Sequence, residues 1–322
     1  MGTLGDVGFT SRLDIVADEN DDSWHLVAKT AAEEGDCLAA IPRTWMYCAE
    51  SLYEAGVNFH YGLTVADALK GYRGLLESGD EATARWFRLV ELGLLTLGEL
   101  EGFDSPNGND PSLWSQWLRA LPASSNLRNA LYTDEYPDTS RVFDVLAKGL
   151  YSDLAPHFAS YCPSLADEET FVETMRWICG ALLDRAWDLS KVEAEMWKTC
   201  YVSVPIGIDF AMHSGHPNTS IVAPQPGMHS RDILALQAVC VQAGVRDIPV
   251  THVPYILLCA NERMAPGDAV TIDYGLRTVE EAKRSHGFEL PPRDVSAVPE
   301  GQSTILTPPW DELVERNQLE LE

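Results

Sequence analysis

The sequence predicts an α+β protein whose core of short β-strands is divided by a long helical insert. Short apolar runs with the alternation typical of strands occur at residues 24–42 and again at 200–274. Between them, from about residue 49 to 196, apolar residues recur at helical spacing. The two β regions can form one core only by pairing across about 150 residues. The helical block is therefore either an insert in that core or a domain of its own.

The first β region contains two apolar runs, residues 24–28 and 37–42, separated by Glu-Glu-Gly-Asp at residues 33–36. Alternation on both sides of a Gly-Asp turn predicts that these two runs form a hairpin with each other. Residues 1–21 end in an acidic string and are predicted to be an exposed lead-in.

Three segments of the central block carry apolar residues at i, i+3, i+4 and i+7 and are predicted helices: 84–97, 141–150 and 168–189. Three later runs, separated by Gly, Pro and Asn, are predicted strands: 200–205, 250–259 and 269–274. The tail is predicted to be irregular with one short helix at 310–319. The predicted segments are a lead-in at 1–21, the first part of the core at 22–48, the helical insert at 49–198, the second part of the core at 199–290 and a tail at 291–322.

Charge and composition exclude several classes of function. The 322 residues include 49 acidic and 23 basic ones, which gives a net charge of −26. This charge repels phosphate backbones and anionic lipid, so direct nucleic-acid or membrane-surface binding is not expected. No apolar run approaches the roughly 20 residues of a membrane span, and a soluble chain is expected. An acidic surface favours a protein partner with a basic one.

The seven cysteines are scattered without a C-x-x-C pair and without histidines at zinc-finger spacing. Neither a structural zinc site nor a disulfide framework is predicted, which favours a reducing, intracellular compartment. The first residues lack the apolar region of a secretion signal. A cytoplasmic or nuclear location is therefore expected, or an organellar one if the chain is a processed form.

Three segments concentrate chemically active side chains. Asp209, His213 and His216 lie within ten residues and could bind a metal with His229 or His252, although a polar turn is the commoner outcome. A Pro-Gly turn leads into a short run that ends in Tyr274-Gly275. A largely apolar helix at 177–187 carries Arg185, whose burial requires either an internal carboxylate such as Asp184 or Asp188, or an anionic ligand.

Two of these segments carry longer motifs. Residues 209–218 read DFAMHSGHPN and match D-x-x-N-H-S followed by P-N, and residues 262–275 read ERMAPGDAVTIDYG and match a G-E-E-type turn with a Tyr-Gly ending. Supporting matches are Trp177 with Arg185, Leu121-Pro122, and Ser-His-Gly-Phe at 285–288. In this order the motifs resemble the SET-domain protein-lysine methyltransferases, in particular the branch of the plastid Rubisco large-subunit methyltransferase. In that branch a long helical insert splits the SET core.

The resemblance implies an S-adenosyl-L-methionine-dependent protein-lysine N-methyltransferase that acts on a non-histone protein. It implies a catalytic role for Tyr274, whose hydroxyl lines the methyl-transfer pore. The implied cofactor-binding residues are Ser23, Trp24, His25, Leu26, Arg185, Met212 and His213. The implied substrate-binding residues are His286 and Phe288.

Three positions depart from the family pattern. Ser23-Trp24-His25 replaces a G-x-G, Met212 replaces the Asn of the Asn-His pair, and His286 replaces a Tyr. The departures favour an alternative from a different class, a catalytically silent SET-like protein that serves as a binding or assembly factor. The tyrosine, arginine and histidine that match the family favour the enzyme.

Overall fold

The computed structural model describes residues 12–17, 24–43, 46–54, 65–72, 74, 81–100, 117–118, 121–161, 163–192, 197–198, 200–224, 234, 237–241, 243, 255–299 and 303–306. The described strands are β1 (Leu13–Ala17), β2 (Trp24–Ala28), β3 (Cys37–Pro42), β4 (Met212–His213), β5 (Thr219–Val222), β6 (Tyr255–Ala260) and β7 (Thr271–Ile272). The described helices are α1 (Ala49–Glu54), α2 (Val65–Ala68), α3 (Glu81–Leu100), α4 (Pro137–Tyr161), α5 (Glu168–Leu183) and α6 (Val279–His286).

A three-stranded antiparallel sheet in the order β3-β6-β5 joins the two β regions of the sequence. Ala40 of β3 faces Leu257 of β6, and Ile221 of β5 faces Leu258 on the other edge. Every residue of β3 and β6 is buried. Buried apolar residues thus drive strand pairing across the helical segment, and the predicted α+β architecture is confirmed. The predicted segment bounds remain a prediction.

The predicted hairpin between residues 24–28 and 37–42 is wrong. β2 pairs with β1 instead, and β3 pairs with β6. The turn at 33–36 lies against the end of β6, where the amide of Gly35 donates to the carbonyl of Ala260 over 2.8 Å. The prediction considered only neighbours in sequence, whereas the fully buried β3 finds its partner on a distant and equally apolar strand.

Part of the predicted exposed lead-in is also a strand. β1 places Leu13 in the core with 1% of its surface exposed. Next to it, Arg12 donates to the carboxylate of Asp36 over 2.7 Å. The backbone N–H and C=O groups along one edge of β2 require hydrogen-bond partners. β1 supplies them, and its alternating apolar residues suit it to a strand.

The three predicted helices are confirmed as α3, α4 and α5, which pack together beside the sheets. A methyl group at Gly93 of α3 would lie 2.7 Å from the sulfur of Cys179 on α5, so these two helices approach closely. α5 ends at Leu183 instead of residue 189, because Trp187 pairs with Ser203 through a β-bridge.

The chain returns from the helices to the core through residues 200–205. These residues form isolated bridges instead of the predicted regular strand, and one of the bridges joins Val204 to Tyr47. The predicted strand at 250–259 is confirmed over β6, and residues 250–254 lie outside the described residues. The predicted strand at 269–274 is confirmed only over the two residues of β7. The predicted helix at 310–319 also lies outside the described residues.

The described helices do not meet the requirements of a membrane span. None of them is both long enough and apolar enough to cross a bilayer.

Replacement of Gly287 by alanine should destabilise the fold. Gly287 ends α6 at φ 73°, a left-handed conformation, and an added Cβ would overlap Arg128. Strain and overlap together predict a loss of roughly 2–4 kcal/mol in the free energy of unfolding. The measurement is urea denaturation. Gly267→Ala is the control, since Gly267 has φ 93° with no atom within 4 Å of the added Cβ, and it should lose about 1–2 kcal/mol from strain alone. Equal losses in both variants would contradict the packing argument.

Candidate functional site

A buried ion pair connects the helical segment to the core. Nη1 of Arg185, just after α5, donates to Oδ2 of Asp209 over 2.8 Å. The same oxygen accepts from Nε1 of Trp117 over 2.9 Å, and the other oxygen accepts from the amide of Gly207 over 2.7 Å. The carboxylate of Asp209 has no exposed surface, so these donors replace its lost hydration.

The guanidinium of Arg185 retains hydrogen-bonding capacity. Its central carbon lies 4.5 Å from the centre of the Phe210 ring, and its side chain is 16% exposed. Among the described residues, its hydrogen bonds use Nη1 alone, so Nε and Nη2 can still bind a ligand. Of the acceptors considered from the sequence, neither Asp184 nor Asp188 is the partner. The internal acceptor is Asp209, the first residue of the DFAMHSGHPN motif. It lies in the turn at 208–210, within hydrogen-bonding distance of Arg185.

His213 and Tyr274 are joined through the backbone of two parallel strands. β4 pairs with β7, and His213 lies opposite Ile272. The amide of Tyr274 donates to Nδ1 of His213 over 3.1 Å, and Nε2 lies 2.7 Å from the carbonyl of Asp294. Because Nδ1 accepts and Nε2 donates, His213 is a neutral imidazole with its proton on Nε2.

The hydroxyl of Tyr274 donates to the carbonyl of Ala211 over 2.6 Å. Burial raises the pKa of this hydroxyl well above its usual value of 10, and the positive charge of Arg185 only partly opposes that effect. Tyr274 is therefore a neutral phenol whose oxygen can accept a further hydrogen bond. It is not a general base at neutral pH.

His286 and Asp184 form a second, partly buried contact beside Tyr274. Nδ1 of His286 donates to the backbone carbonyl of Asp184 over 2.9 Å, which leaves a lone pair on Nε2. Burial lowers the pKa of His286 to about 4, so the ring is neutral at pH 7. Burial raises the pKa of the Asp184 carboxyl group to about 7, although the side-chain amide of Asn129 donates to it over 2.5 Å.

Four aromatic or imidazole rings form a continuous surface, here called the ring wall: His213, Tyr274, His286 and Phe288. The ring of Tyr274 lies 5.0 Å from His286 and 5.2 Å from His213. The ring of Phe288 lies 5.8 Å from His286 and 6.2 Å from His213. The left-handed glycine between His286 and Phe288 turns the chain so that both rings join this surface.

The remaining predicted site residues lie around the turn at 208–210. β2 packs against this turn, with Trp24 39% exposed, His25 half-buried and Leu26 fully buried. Met212 is 42% exposed and lies next to His213 on β4. Ser23 lies outside the described residues. The structure thus brings the described residues of β2, Arg185 and β4 together around the turn at 208–210.

A cavity of about 530 Å³ lies beside α6, and none of the four residues of the ring wall lines it. α3, the end of α5 and α6 enclose it, and it reaches Ser285. Its lining contains both signs of charge: Arg85, Lys191 and Arg284 with Asp188 and Glu281. A polar side chain or segment can therefore enter it without burying an unpaired charge.

The metal-binding alternative for Asp209, His213 and His216 does not form among the described residues. Arg185 and Trp117 occupy the carboxylate, and both ring nitrogens of His213 have partners. His229 and His252 lie outside the described residues.

From the sequence, Asn129 was missed, Asp184 was considered only as an acceptor for Arg185, and Trp117 was assigned no role in the site. Each acts through a partner that is distant in sequence. The match that involved Leu121-Pro122 and Trp177 does have a structural basis, because Nε1 of Trp177 donates to the carbonyl of Pro122 over 2.9 Å.

No protein-family model matches the sequence, and no curated protein matches it. The fold resembles the SET domain of LSMT solved with lysine and AdoHcy, with a TM-score of 0.51 and 16% sequence identity. That match covers 90% of this chain and 56% of the other. A structure of Rubisco LSMT bound to AdoMet matches with a TM-score of 0.48 and 13% identity, over 90% of this chain and 55% of the other. The chain spans about half the length of these structures, and it has a SET-type fold.

Replacement of Asp184 by asparagine should reduce the pH dependence of stability. Between its usual pKa of 3.8 and its folded pKa of about 7, the folded state holds a proton that the unfolded chain has released. The stability contributed by this group therefore falls as the pH rises through that window. From about pH 6 to about pH 8 the wild type should lose roughly 1 kcal/mol relative to Asp184→Asn.

Urea denaturation at the two pH values measures this difference. Asp188→Asn, which leaves Asp184 in place, should keep the wild-type dependence. If Asp184→Asn follows the wild-type curve at both pH values, the carboxyl group does not titrate as described.

Proposed function

We propose that this chain is an S-adenosyl-L-methionine-dependent protein-lysine N-methyltransferase that acts on a non-histone protein. The observation that carries the proposal is the neutral Tyr274 hydroxyl, which lies in the ring wall close enough to Arg185 to interact with its charge, on a SET-type fold. The solved LSMT domain of similar fold was bound to lysine and AdoHcy, which supports a transferase with the same two ligands.

Arg185 fits the carboxylate of the cofactor's amino-acid part. Asp209 and Phe210 hold its guanidinium in place, so the two unused donor positions are already oriented before a ligand arrives. Trp24, His25 and Leu26 flank this position on β2, with Ser23 before them, and Met212 and His213 flank it on β4. S-adenosyl-L-methionine, when bound, supplies a methyl group on a positive sulfonium.

Tyr274 and His286 suit a lysine amine. The Tyr274 hydroxyl donates a hydrogen bond to the carbonyl of Ala211. Its oxygen can still accept a hydrogen bond from the amine. Nε2 of His286 offers a second acceptor, since Nδ1 holds the ring proton. When the lysine side chain packs against the ring wall it displaces water, and this desolvation lowers the pKa of the lysine ammonium, so the reactive neutral amine becomes accessible.

The cavity is a candidate entry point for the target protein, because Ser285, which lines it, directly precedes His286 of the ring wall. Phe288 and His286 form the wall that the incoming aliphatic chain contacts. The net charge of −26 favours a protein partner with a basic surface. Since salt screens such attraction, the rate of methylation should fall as ionic strength rises.

A second candidate is a catalytically silent SET-like protein that acts as a binding or assembly factor. One observation favours it: Arg185 already has an internal carboxylate partner, so its burial does not require a ligand. Met212 also offers no amide where the family has one. Calorimetric titration with S-adenosyl-L-methionine separates the two candidates, because only the enzyme requires the cofactor.

Replacement of Arg185 by lysine should weaken binding of S-adenosyl-L-methionine roughly ten- to a hundredfold. Lysine keeps the positive charge beside Asp209 but loses the planar set of donors. Isothermal titration calorimetry measures the affinity. The control is Arg176→Lys, which alters an ion pair with Asp144 on the surface between α4 and α5 and should bind the cofactor as the wild type does. Equal affinity of the wild type and Arg185→Lys would remove Arg185 from the cofactor site.

Replacement of Tyr274 by phenylalanine should impair transfer far more than folding. The ring still packs against His213 and His286, so stability should change by about 1 kcal/mol. The rate of methyl transfer should fall roughly ten- to a thousandfold, because an orienting contact to the amine is lost. A thermal melt and labelling of a cell lysate with methyl-labelled cofactor measure the two effects.

Tyr255→Phe provides the matched control. The Tyr255 hydroxyl is buried in the central sheet, and it has no hydrogen-bond partner among the described residues. Its loss should leave methylation unchanged. If the Tyr274→Phe variant labels the lysate as well as the control does, Tyr274 has no part in transfer. If the wild type neither binds the cofactor nor labels any protein, the silent alternative is supported.

A further inference from the structure

The two ends of the helical segment meet at one point beside the core. Tyr47 and Val204 exchange both backbone hydrogen bonds, each over 2.9 Å. Cys48 follows Tyr47 immediately before α1, and Cys200 lies where the chain returns to the core. Both cysteines are buried, with 0% and 1% of their surface exposed.

Glu50, in the first turn of α1, completes a group of three potential metal ligands. The sulfur atoms of Cys48 and Cys200 and a carboxylate oxygen of Glu50 all lie within 4.8 Å of one another. In a tetrahedral zinc site with Zn–S near 2.3 Å and Zn–O near 2.1 Å, ligand atoms are spaced by roughly 3.5–3.8 Å. Small side-chain rotations therefore suffice to close the group around an ion.

A second observation points independently to a missing ligand. Oε1 of Glu50 is buried, and it has no hydrogen-bond partner among the described residues. The nearby guanidinium of Arg43 pairs with Glu54 over 3.3 Å instead. An unsatisfied buried carboxylate oxygen is costly, and a bound cation would remove that cost.

The local charges also balance around a divalent cation. Zinc binds cysteine as the thiolate, so the two thiols release their protons when the ion binds. Arg43 lies close enough to Cys200 to interact with it electrostatically. Two thiolates and one carboxylate carry three negative charges. A divalent cation together with Arg43 neutralises them.

We propose that Cys48, Cys200 and Glu50 bind a Zn²⁺ ion, with water as the fourth ligand, and that this ion joins the two ends of the helical insert. Zinc suits two thiolates and an oxygen better than calcium or magnesium does, because the latter prefer oxygen ligands alone. The ion also supports the candidate site. Tyr47 lies 5.0 Å from the ring of Trp117, which hydrogen-bonds to Asp209.

Cobalt titration of the whole chain tests the proposal. The reduced protein, freed of metal with a chelator, is titrated with Co²⁺ and then with Zn²⁺. One Co²⁺ per chain should bind with a thiolate-to-cobalt charge-transfer band and the visible bands of tetrahedral cobalt, and Zn²⁺ should abolish both. Cys48→Ser and Cys200→Ser should lose the charge-transfer intensity and bind at least tenfold more weakly.

Two further variants keep the test decisive if a cysteine variant unfolds. Glu50→Gln alters a partly exposed residue, and it should keep the charge-transfer band with at least tenfold weaker binding. Cys179→Ser is the control, because Cys179 is buried between α3 and α5 and should leave cobalt binding unchanged. Zn²⁺ should also raise the melting temperature of the wild type in a concentration-dependent way.

Three outcomes would overturn the proposal. The reduced wild type could show no charge-transfer band, or the band could persist at full strength in both Cys48→Ser and Cys200→Ser. Mass spectrometry of the purified chain could also show a mass lower by two hydrogen atoms, with peptide mapping that locates a disulfide between Cys48 and Cys200. The pair would then be a disulfide and not a zinc site.

Discussion

The carboxylate of Asp209 is fully buried and accepts hydrogen bonds from Arg185, Trp117 and Gly207. A charge removed from water must be matched by partners of good geometry, and the loss of one partner typically costs about 3–5 kcal/mol. Two of the three donors belong to the helical segment, and the third belongs to the core. One carboxylate therefore fixes the end of α5 and Trp117 on the core, and it gives Arg185 a single orientation. A cofactor site built at this junction inherits that rigidity.

Low polarity is the second constraint on the site. Burial keeps the hydroxyl of Tyr274 protonated and the ring of His286 neutral, and hydrogen bonds fix the proton of His213 on Nε2. The ring wall thus presents hydrogen-bond acceptors without a net charge. Such a surface accepts an amine but does not hold an ammonium ion strongly, which is the property that a methyl transfer to nitrogen requires. In the proposed reaction, the ion pair would hold the cofactor and the ring wall would receive the amine.

The sequence was sufficient for features that are encoded locally or in a long motif. Helical periodicity located α3, α4 and α5, and the apolar runs located β3 and β6. The motifs predicted Tyr274 and His286 as site residues, and the fold places the rings of these two residues side by side. Features that depend on partners distant in sequence were missed. The hairpin prediction failed because β3 pairs with β6, and the partner of Arg185 was sought among its neighbours instead of at Asp209. The same limitation hid Cys48 and Cys200, since spacing rules detect ligands only when they are close in sequence.

The departures from the family motif do not weaken the site equally. His286 replaces a tyrosine, yet its proton is committed to the carbonyl of Asp184, so it remains a neutral ring that offers an acceptor. That change preserves the polarity of the ring wall.

Met212 replaces an amide and is exposed, so a polar contact to a cofactor is lost without a substitute among the described residues at that position. The remaining polar contact on that side is Arg185. The charge of its guanidinium is already neutralised by Asp209. The choice between enzyme and silent scaffold therefore depends on whether the unused donors of Arg185 can still bind the carboxylate of a cofactor. Because hydrogen bonds to a carboxylate act over short range and through fixed geometry, a preorganised and neutralised guanidinium can still bind one, and this favours the enzyme.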